Sequence, residues 1–268
     1  MNEAPVSARL LDGQTTVVTG AARGIGAAIA RRFAQHGASV VVADIDGSAA
    51  ASTAKQIAEE TGSRAFGDQL DVSDADATEQ AFDRWVREFG RLDTVVANAG
   101  ILHLAPAADI PVAAWRRVLD INLTGGFLTA RSAARHMMTS DQGGSIVFTS
   151  SLFGIRGGRE NAAYSASKFG LIGLGQCLAA ELALQNIRVN SVCPGQVQTE
   201  MIDQLLIERA ALTNRTPGEV LSELVGRVPM GRMGTTDEIA DVFVFLASPL
   251  STYVTGQSIV IDGGWQVG

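Results

Sequence analysis

"TTVVTGAARGIG", residues 15–26, passes from an uncharged, β-branched run straight into glycines, and that junction decides how the chain folds. A run such as "TTVVT", with no charge at either pleat position, reads as a strand covered on both faces. Gly20, Gly24 and Gly26 follow at spacing G-x-x-x-G-x-G, and beyond them Ile25, Ile29 and Phe33 recur at the helical period until Gly37 can end the helix. The order is strand, glycine loop, helix. Helix N–H groups and bare glycine backbone at such a junction make a seat for a pyrophosphate, although the same glycines can also serve only as a tight turn.

Outward from this unit the pattern repeats. "SVVVADI" (39–45), "DTVVANAG" (93–100), "SIVFTSS" (145–151), "RVNSVCPG" (188–195) and "SIVIDGG" (258–264) are further apolar runs, with a weaker one at 65–72. Between them lie segments of helical period, such as Phe82, Trp85, Val86 and Phe89 on one side of a helix. This alternation predicts an α/β fold: a doubly wound, mostly parallel sheet of about seven strands with helices on both faces and a ligand site at the strands' carboxyl ends. No linker and no internal repeat interrupts residues 1–268, so a single domain is expected.

The bulk properties narrow the function. With 46% hydrophobic and 18% charged residues, the chain has ample apolar surface for one continuous core. A formal charge of −7, with no Lys/Arg cluster, argues against a nucleic-acid partner. Cys177, Cys193 and the three histidines, His36, His103 and His136, show neither a disulfide framework nor zinc spacing, so no metal is expected. "MNEAPVSARLLDG" contains no apolar run of signal-peptide length, and no stretch suits a membrane span, so a soluble cytoplasmic protein is expected.

Five positions carry chemical promise. Asp44 ends the second strand, where a carboxylate can accept hydrogen bonds from an adenosine ribose and repel an added 2′-phosphate; it can also cap the turn "DIDG". Tyr164 and Lys168 in "NAAYSASKFG" (161–170) stand about one helical turn apart, close enough for the ammonium to favour phenolate, or simply to share a solvated helix face. Ser151 closes a strand and can reach the following helix, with Ser150 a competitor. Asn122, in "WRRVLDINLTGGF", falls on the inward face expected from Trp115, Val118 and Leu119; it can tie helix to sheet, or open a helical turn and hold a water.

Taken together and in order, "TGAARGIG", "NAG" (98–100), Asn122, Ser151, "YSASK" (164–168) and "PG" (194–195) resemble the short-chain dehydrogenase/reductase family across nearly the whole chain. The resemblance implies a Rossmann-type fold and hydride transfer between nicotinamide and a secondary alcohol or ketone. It implies Tyr164 as acid–base residue, Lys168 as ribose ligand that lowers the tyrosine pKa, Ser151 as holder of the substrate oxygen and Asn122 as holder of a proton-relay water. It further implies a cofactor site of Gly20, Arg23, Gly24, Ile25, Gly26, Asp44, Asp71, Val72, Asn98, Gly100, Tyr164, Lys168, Pro194, Gly195, Val197 and Thr199. A catalytically silent dinucleotide sensor would lack the Tyr or Lys, and a purely structural subunit would not need the glycine loop.

Residues 196–234 read as two short helices joined at Asn214 to Pro217, ahead of a helix opened by Thr235 and Glu238, and resemble the family's substrate lid. His103, Ser151, Phe153, Asn161, Tyr164 and Gln196 are the expected substrate contacts, with Gln198 and Met201 nearby. Their polarity points to a small polyol, diol or hydroxyketone, the alternatives being cyclic alcohols, steroids or 3-oxoacyl thioesters. NAD is expected over NADP because of Asp44, against which Arg23 weighs. A homotetramer is implied through helix 161–185 and the C-terminal "IDGGWQVG".

Overall fold

The apolar runs divide their side chains between two cores. The computed structural model describes residues 9–140 and 142–267. Strands β1 (Thr15–Thr19), β2 (Ser39–Asp44), β3 (Ala65–Gln69), β4 (Thr94–Ala97), β5 (Gly144–Thr149), β6 (Ile187–Pro194) and β7 (Ser258–Ile261) form one sheet in the order β3-β2-β1-β4-β5-β6-β7. Every neighbouring pair is parallel. Because side chains alternate along a strand, Val18 of β1 joins one core and Val17 the other. The first core also takes Ile29 and Phe33 of helix α1 (Gly24–Gln35), Ala54 and Ile57 of α2 (Gly47–Thr61), and, from near the other end of the chain, a helix carrying Phe243 and Val244. The second takes Phe82 and Trp85 of α3 (Ala75–Phe89) and residues of two later helices.

β3 reads weakly because it is an edge strand with one face half open: Phe66 is 44% exposed, and Gly67 lies so close to α2 that a Cβ would stand 2.5 Å from Ala51 Cα. The helices begin on side-chain caps, Asp46 for α2 and Asp74 for α3, and both end at a left-handed glycine.

The segment around Asn122 departs from the regular helix expected there. Helix α4 (Val112–Leu119) passes into a wide π turn over Asp120–Thr124 before α5 (Gly125–Thr139) resumes. A widened turn breaks the helical phase, so Trp115 is 36% exposed rather than inward, while Val118 and Asn122 are buried. α6 (Ala162–Leu182) carries Tyr164 and Lys168.

Beyond β6, α7 (Glu200–Thr213) and α8 (Pro217–Gly226) form the two helices expected in 196–234. They pack through Leu205, Leu206, Ala210, Val220 and Leu224 onto Leu102 and Leu104, which follow β4. α9 (Thr236–Ala247) opens with the expected reciprocal cap: Glu238 N–H donates to Thr235 Oγ1 at 3.2 Å, and Thr235 N–H to Glu238 Oε2 at 2.8 Å. Among the described residues no helix is long and apolar enough to cross a membrane. Most of the N-terminal stretch read for targeting lies outside the described residues.

Candidate active site

The strand order reverses between β1 and β4, and at this switch point the carboxyl ends of the strands surround a cavity of about 550 Å³. Every residue implied to contact a cofactor, from Gly20 to Thr199, lines it. The glycines serve different ends. Gly20 has φ +62°, and a Cβ there would stand 2.7 Å from Ala99 Cα. At Gly26 a Cβ would strike the Gly20 carbonyl, which Asn98 Nδ2 already holds at 2.9 Å together with Thr19 O at 3.0 Å. Gly24, also left-handed at φ +58°, leaves open space instead: the nearest atom to its Cβ would be Thr199 Cγ2 at 3.9 Å.

At the far end of this cradle the Asp44 carboxylate is held in place by backbone. Ala22 N–H donates to Oδ2 and Asp46 N–H to Oδ1, both at 3.1 Å. It therefore does both jobs its position allows, fixing the turn and facing the cavity.

Lys168 is 3% exposed, and its ammonium donates to Thr149 O at 2.7 Å while lying 5.5 Å from the centre of the Tyr164 ring. Burial drives this ammonium down to about 8, against a smaller upward pull from Cys193. Burial likewise pushes the Tyr164 phenol above its usual value, with the Ser151 hydroxyl drawing it part of the way back. Desolvation dominates at both groups, so in this structure the phenol stands above its usual value and the ammonium below it, each resisting charge. Of the two candidate serines, Ser150 donates to Lys168 O at 2.9 Å and is spent on the helix, whereas Ser151 accepts from Phe153 N–H at 3.1 Å and acts on the Tyr164 phenol.

Asn122, 1% exposed, does not line the cavity. Its Oδ1 accepts from Ile101 N–H at 2.8 Å, and its Nδ2 donates to Ile101 O at 2.9 Å and to Ser167 Oγ at 3.1 Å; Ser167 in turn donates to Tyr164 O at 2.7 Å. The amide braces the loop after β4 and α6 together, with both of its N–H groups committed.

Ser151, Phe153, Asn161, Tyr164 and Gln196 line the cavity as expected, beside apolar Leu102, Leu152, Met201 and Leu205. Asn161 is fully buried, its Nδ2 committed to Arg159 O at 3.0 Å and its Oδ1 without a partner. His103 is a correction: it does not line the cavity. Its Nε2 is buried without a hydrogen-bond partner, while the flanking Leu102 and Leu104 pack with the lid helices. Gln198 also lies outside, against the outer side of α7. Ile45, Arg117, Ile121 and Glu200 line the cavity without having been foreseen. Ile45, 63% exposed directly after Asp44, carried a usable signal, an apolar residue stranded beside a ribose carboxylate; Arg117 looks like any solvated helix arginine.

These residues suit a nicotinamide dinucleotide: a cradle a single Cβ at Gly24 would begin to fill, a fixed carboxylate at one end, and a half-buried phenol with a buried ammonium toward the other. Among the described residues no group of His, Cys, Asp and Glu is arranged to hold a metal ion.

A family model described as enoyl-(acyl carrier protein) reductase matches residues 20–266. Cis-4-hydroxycyclohexanecarboxylate dehydrogenase of Sinomonas cyclohexanicum is 39% identical over 253 residues, covering 94% of this chain and 96% of that one. 3beta-Hydroxysteroid dehydrogenase 2 of Eggerthella lenta is 38% identical, with 96% of each chain covered. L-rhamnose 1-dehydrogenase (NAD(P)(+)) of a Sphingomonas species is 37% identical, with 97% and 98% covered. Among solved structures, a short-chain type dehydrogenase/reductase from Mycobacterium marinum superposes with a TM-score of 0.89 at 35% identity, covering 99% of this chain and 100% of that one.

Proposed function

Since the chain belongs to the short-chain dehydrogenase/reductase family, we propose that Tyr164, Lys168 and Ser151 carry out its chemistry, with NAD(H) seated between the glycine loop and Asp44. The enzyme is an oxidoreductase acting on the CH–OH group of a secondary alcohol, or on the corresponding ketone, with a nicotinamide cofactor. The observation that carries the assignment of roles is convergence: Ser151, Tyr164 and Lys168 line the same cavity as Gly24 and Asp44.

When bound, the nicotinamide ring accepts hydride from the alcohol carbon or returns it to the ketone. Tyr164 takes the hydroxyl proton at its phenolic oxygen in oxidation and gives it back in reduction. Ser151 holds the substrate oxygen beside that phenol. Lys168, anchored on Thr149 O, presents its charge to the phenol and its remaining protons to a ribose. Asn122 keeps the loop at Ile101 and the helix at Ser167 in register; a relay water held here would use its backbone or the second lone pair of its Oδ1. Gly20, Arg23, Gly24, Ile25, Gly26, Asp71, Val72, Asn98, Gly100, Pro194, Gly195, Val197 and Thr199 complete the cofactor site, and residues 196–234 act as lid.

Asp44 favours NAD(H), because a 2′-phosphate would face a fixed carboxylate in a partly solvated site at a cost of about 1–4 kcal/mol. For the substrate, the unpartnered Asn161 Oδ1 and the buried Gln196 favour a small polyol, diol or hydroxyketone. A second reading, a cyclic alcohol, is favoured by the apolar wall of Leu102, Leu152, Phe153 and Leu205 and by the similarity to a cyclohexanecarboxylate dehydrogenase. Turnover of a panel of polyols, diols and cyclic alcohols with NAD⁺ and NADP⁺ tests these points together. Oxidation of polyols and diols with the higher kcat/KM, and with NAD⁺ at least tenfold over NADP⁺, is expected. Equal use of the two cofactors, or much faster turnover of monofunctional cyclic alcohols, contradicts the respective part.

A further inference from the structure

Arg23 stands at the edge of the Asp44 site, and its charge is already engaged. Its Nη2 lies 3.6 Å from Asp46 Oδ2, on the turn after β2, and its Nη1 lies 3.4 Å from Glu200 Oε2, on the first turn of α7. Arg23 and Glu200 both line the cavity, and the same two walls approach again where Gly24 faces Thr199. The guanidinium therefore bridges the cleft from glycine loop to lid. Its root adjoins Ala22, whose N–H holds Asp44.

Asp46 is a fixed partner. Ala49 N–H donates to its Oδ1 at 3.0 Å and the Ser48 hydroxyl at 2.8 Å, and these bonds, with Arg23, keep its carboxyl below the usual range and so charged at neutral pH. One positive charge thus pairs with two carboxylates, Asp46 and Glu200, beside the cavity that Asp44 also lines. The ion pairs are exposed, with the Arg23 side chain 57% accessible, so they add little to the stability of the fold. Their effect lies in where they leave the guanidinium: an arginine free at this edge would be a ligand for a phosphate dianion, whereas a clamped one is not.

We propose that Asp46 and Glu200 are positioning residues for cofactor choice, which hold Arg23 away from a 2′-phosphate and so reinforce the preference for NAD(H) set by Asp44. The inference rests on the reading of the cavity as a nicotinamide dinucleotide site. Glu200 opens α7, so one arm of the clamp comes from the segment 196–234 and the other from the turn after β2.

The test is fluorescence titration of the intact protein with NADH and NADPH at fixed ionic strength. The proteins compared are wild type, Asp46→Asn, Glu200→Gln and the double variant, each with and without Arg23→Ala. The ratio Kd(NADPH)/Kd(NADH) should fall by about tenfold in the double variant, and that gain should disappear when Arg23→Ala is added. A gain that persists without Arg23 would show that only negative charge had been removed, and overturns the clamp, as does an unchanged ratio. Failure of wild type to bind either nucleotide would instead remove the cofactor reading, and the inference with it.

Discussion

Lys168 and Tyr164 are each enclosed in a site that disfavours their charged form, and that sets the pH behaviour. With Tyr164 raised, the free enzyme holds a phenol at neutral pH, so oxidation, which needs phenolate, should accelerate as pH rises from 6 toward 8. Lys168 loses its proton near 8, after which the cation no longer supports phenolate and the rise should flatten. Reduction needs the phenol's own proton and should not show this rise. A pH–rate profile of kcat/KM in both directions checks this, and identical profiles would refute it. The same lowering destabilises the fold at neutral pH: between about 8 and the ordinary 10.5 the unfolded chain binds the extra proton, so stability from this group increases with pH through that window. Tyr164→Phe keeps the ring and loses the proton, so turnover should drop by about 10²–10⁴-fold with NADH affinity nearly unchanged, while Lys168→Ala should impair both. The spacing of this pair was legible in the sequence, because one helical turn fixes their proximity. The direction of the pKa shifts was not, because it depends on how completely the surrounding loops exclude water.

At the level of elements, the glycine loop and the turn at Asn122 were read with unequal success. Glycine spacing after an apolar strand has a backbone meaning, and Gly20, Gly24 and Gly26 stand where it placed them. The π turn has no such signature; an inserted residue shifts helical phase without leaving a glycine or proline behind, so Trp115 was assigned to the wrong side. Two substitutions follow from these elements. In Gly26→Ala the new methyl would meet Asn98 Nδ2 at 2.6 Å as well as the Gly20 carbonyl, so the protein should lose about 1–3 kcal/mol of stability and bind NADH more weakly. Gly157→Ala, with nothing within 4 Å, should change neither. Asn122→Ala leaves the half-buried Ile101 N–H and carbonyl without their side-chain partners and should cost about 1–3 kcal/mol in urea unfolding, with turnover falling more than NADH affinity, since the brace reaches Tyr164 rather than Asp44.

For the whole molecule, the doubly wound architecture with its mostly parallel sheet of about seven strands was legible because alternation of strand and helix leaves few topologies open, whereas the strand order was not read. The assembly was not, since an exposed apolar residue looks the same in sequence as a buried one. Phe169 on α6, with Phe127 and Met138 on α5, leaves apolar surface uncovered in one chain, and we expect these helices to meet their counterparts in a homotetramer. Trp265 of the C-terminal stretch is already used within the chain, edge-on to Phe153 at 6.2 Å, so less of "IDGGWQVG" is free for contact than the sequence implies. Light scattering at micromolar concentration should report four copies; a monomer contradicts this. One further property comes from the core that joins α1 to α9. Ile29 and Phe33, behind the glycine loop, are covered by Ile239, Phe243 and Val244. During synthesis at about 5–20 residues per second, the 210 positions between Phe33 and Phe243 take about 10–40 s to appear, and for that interval the helix behind the cofactor cradle has only α2 and the first strands to cover its apolar face. A nascent chain should therefore leave part of that face open to chaperones, and hold its glycine loop loosely, until α9 has been made.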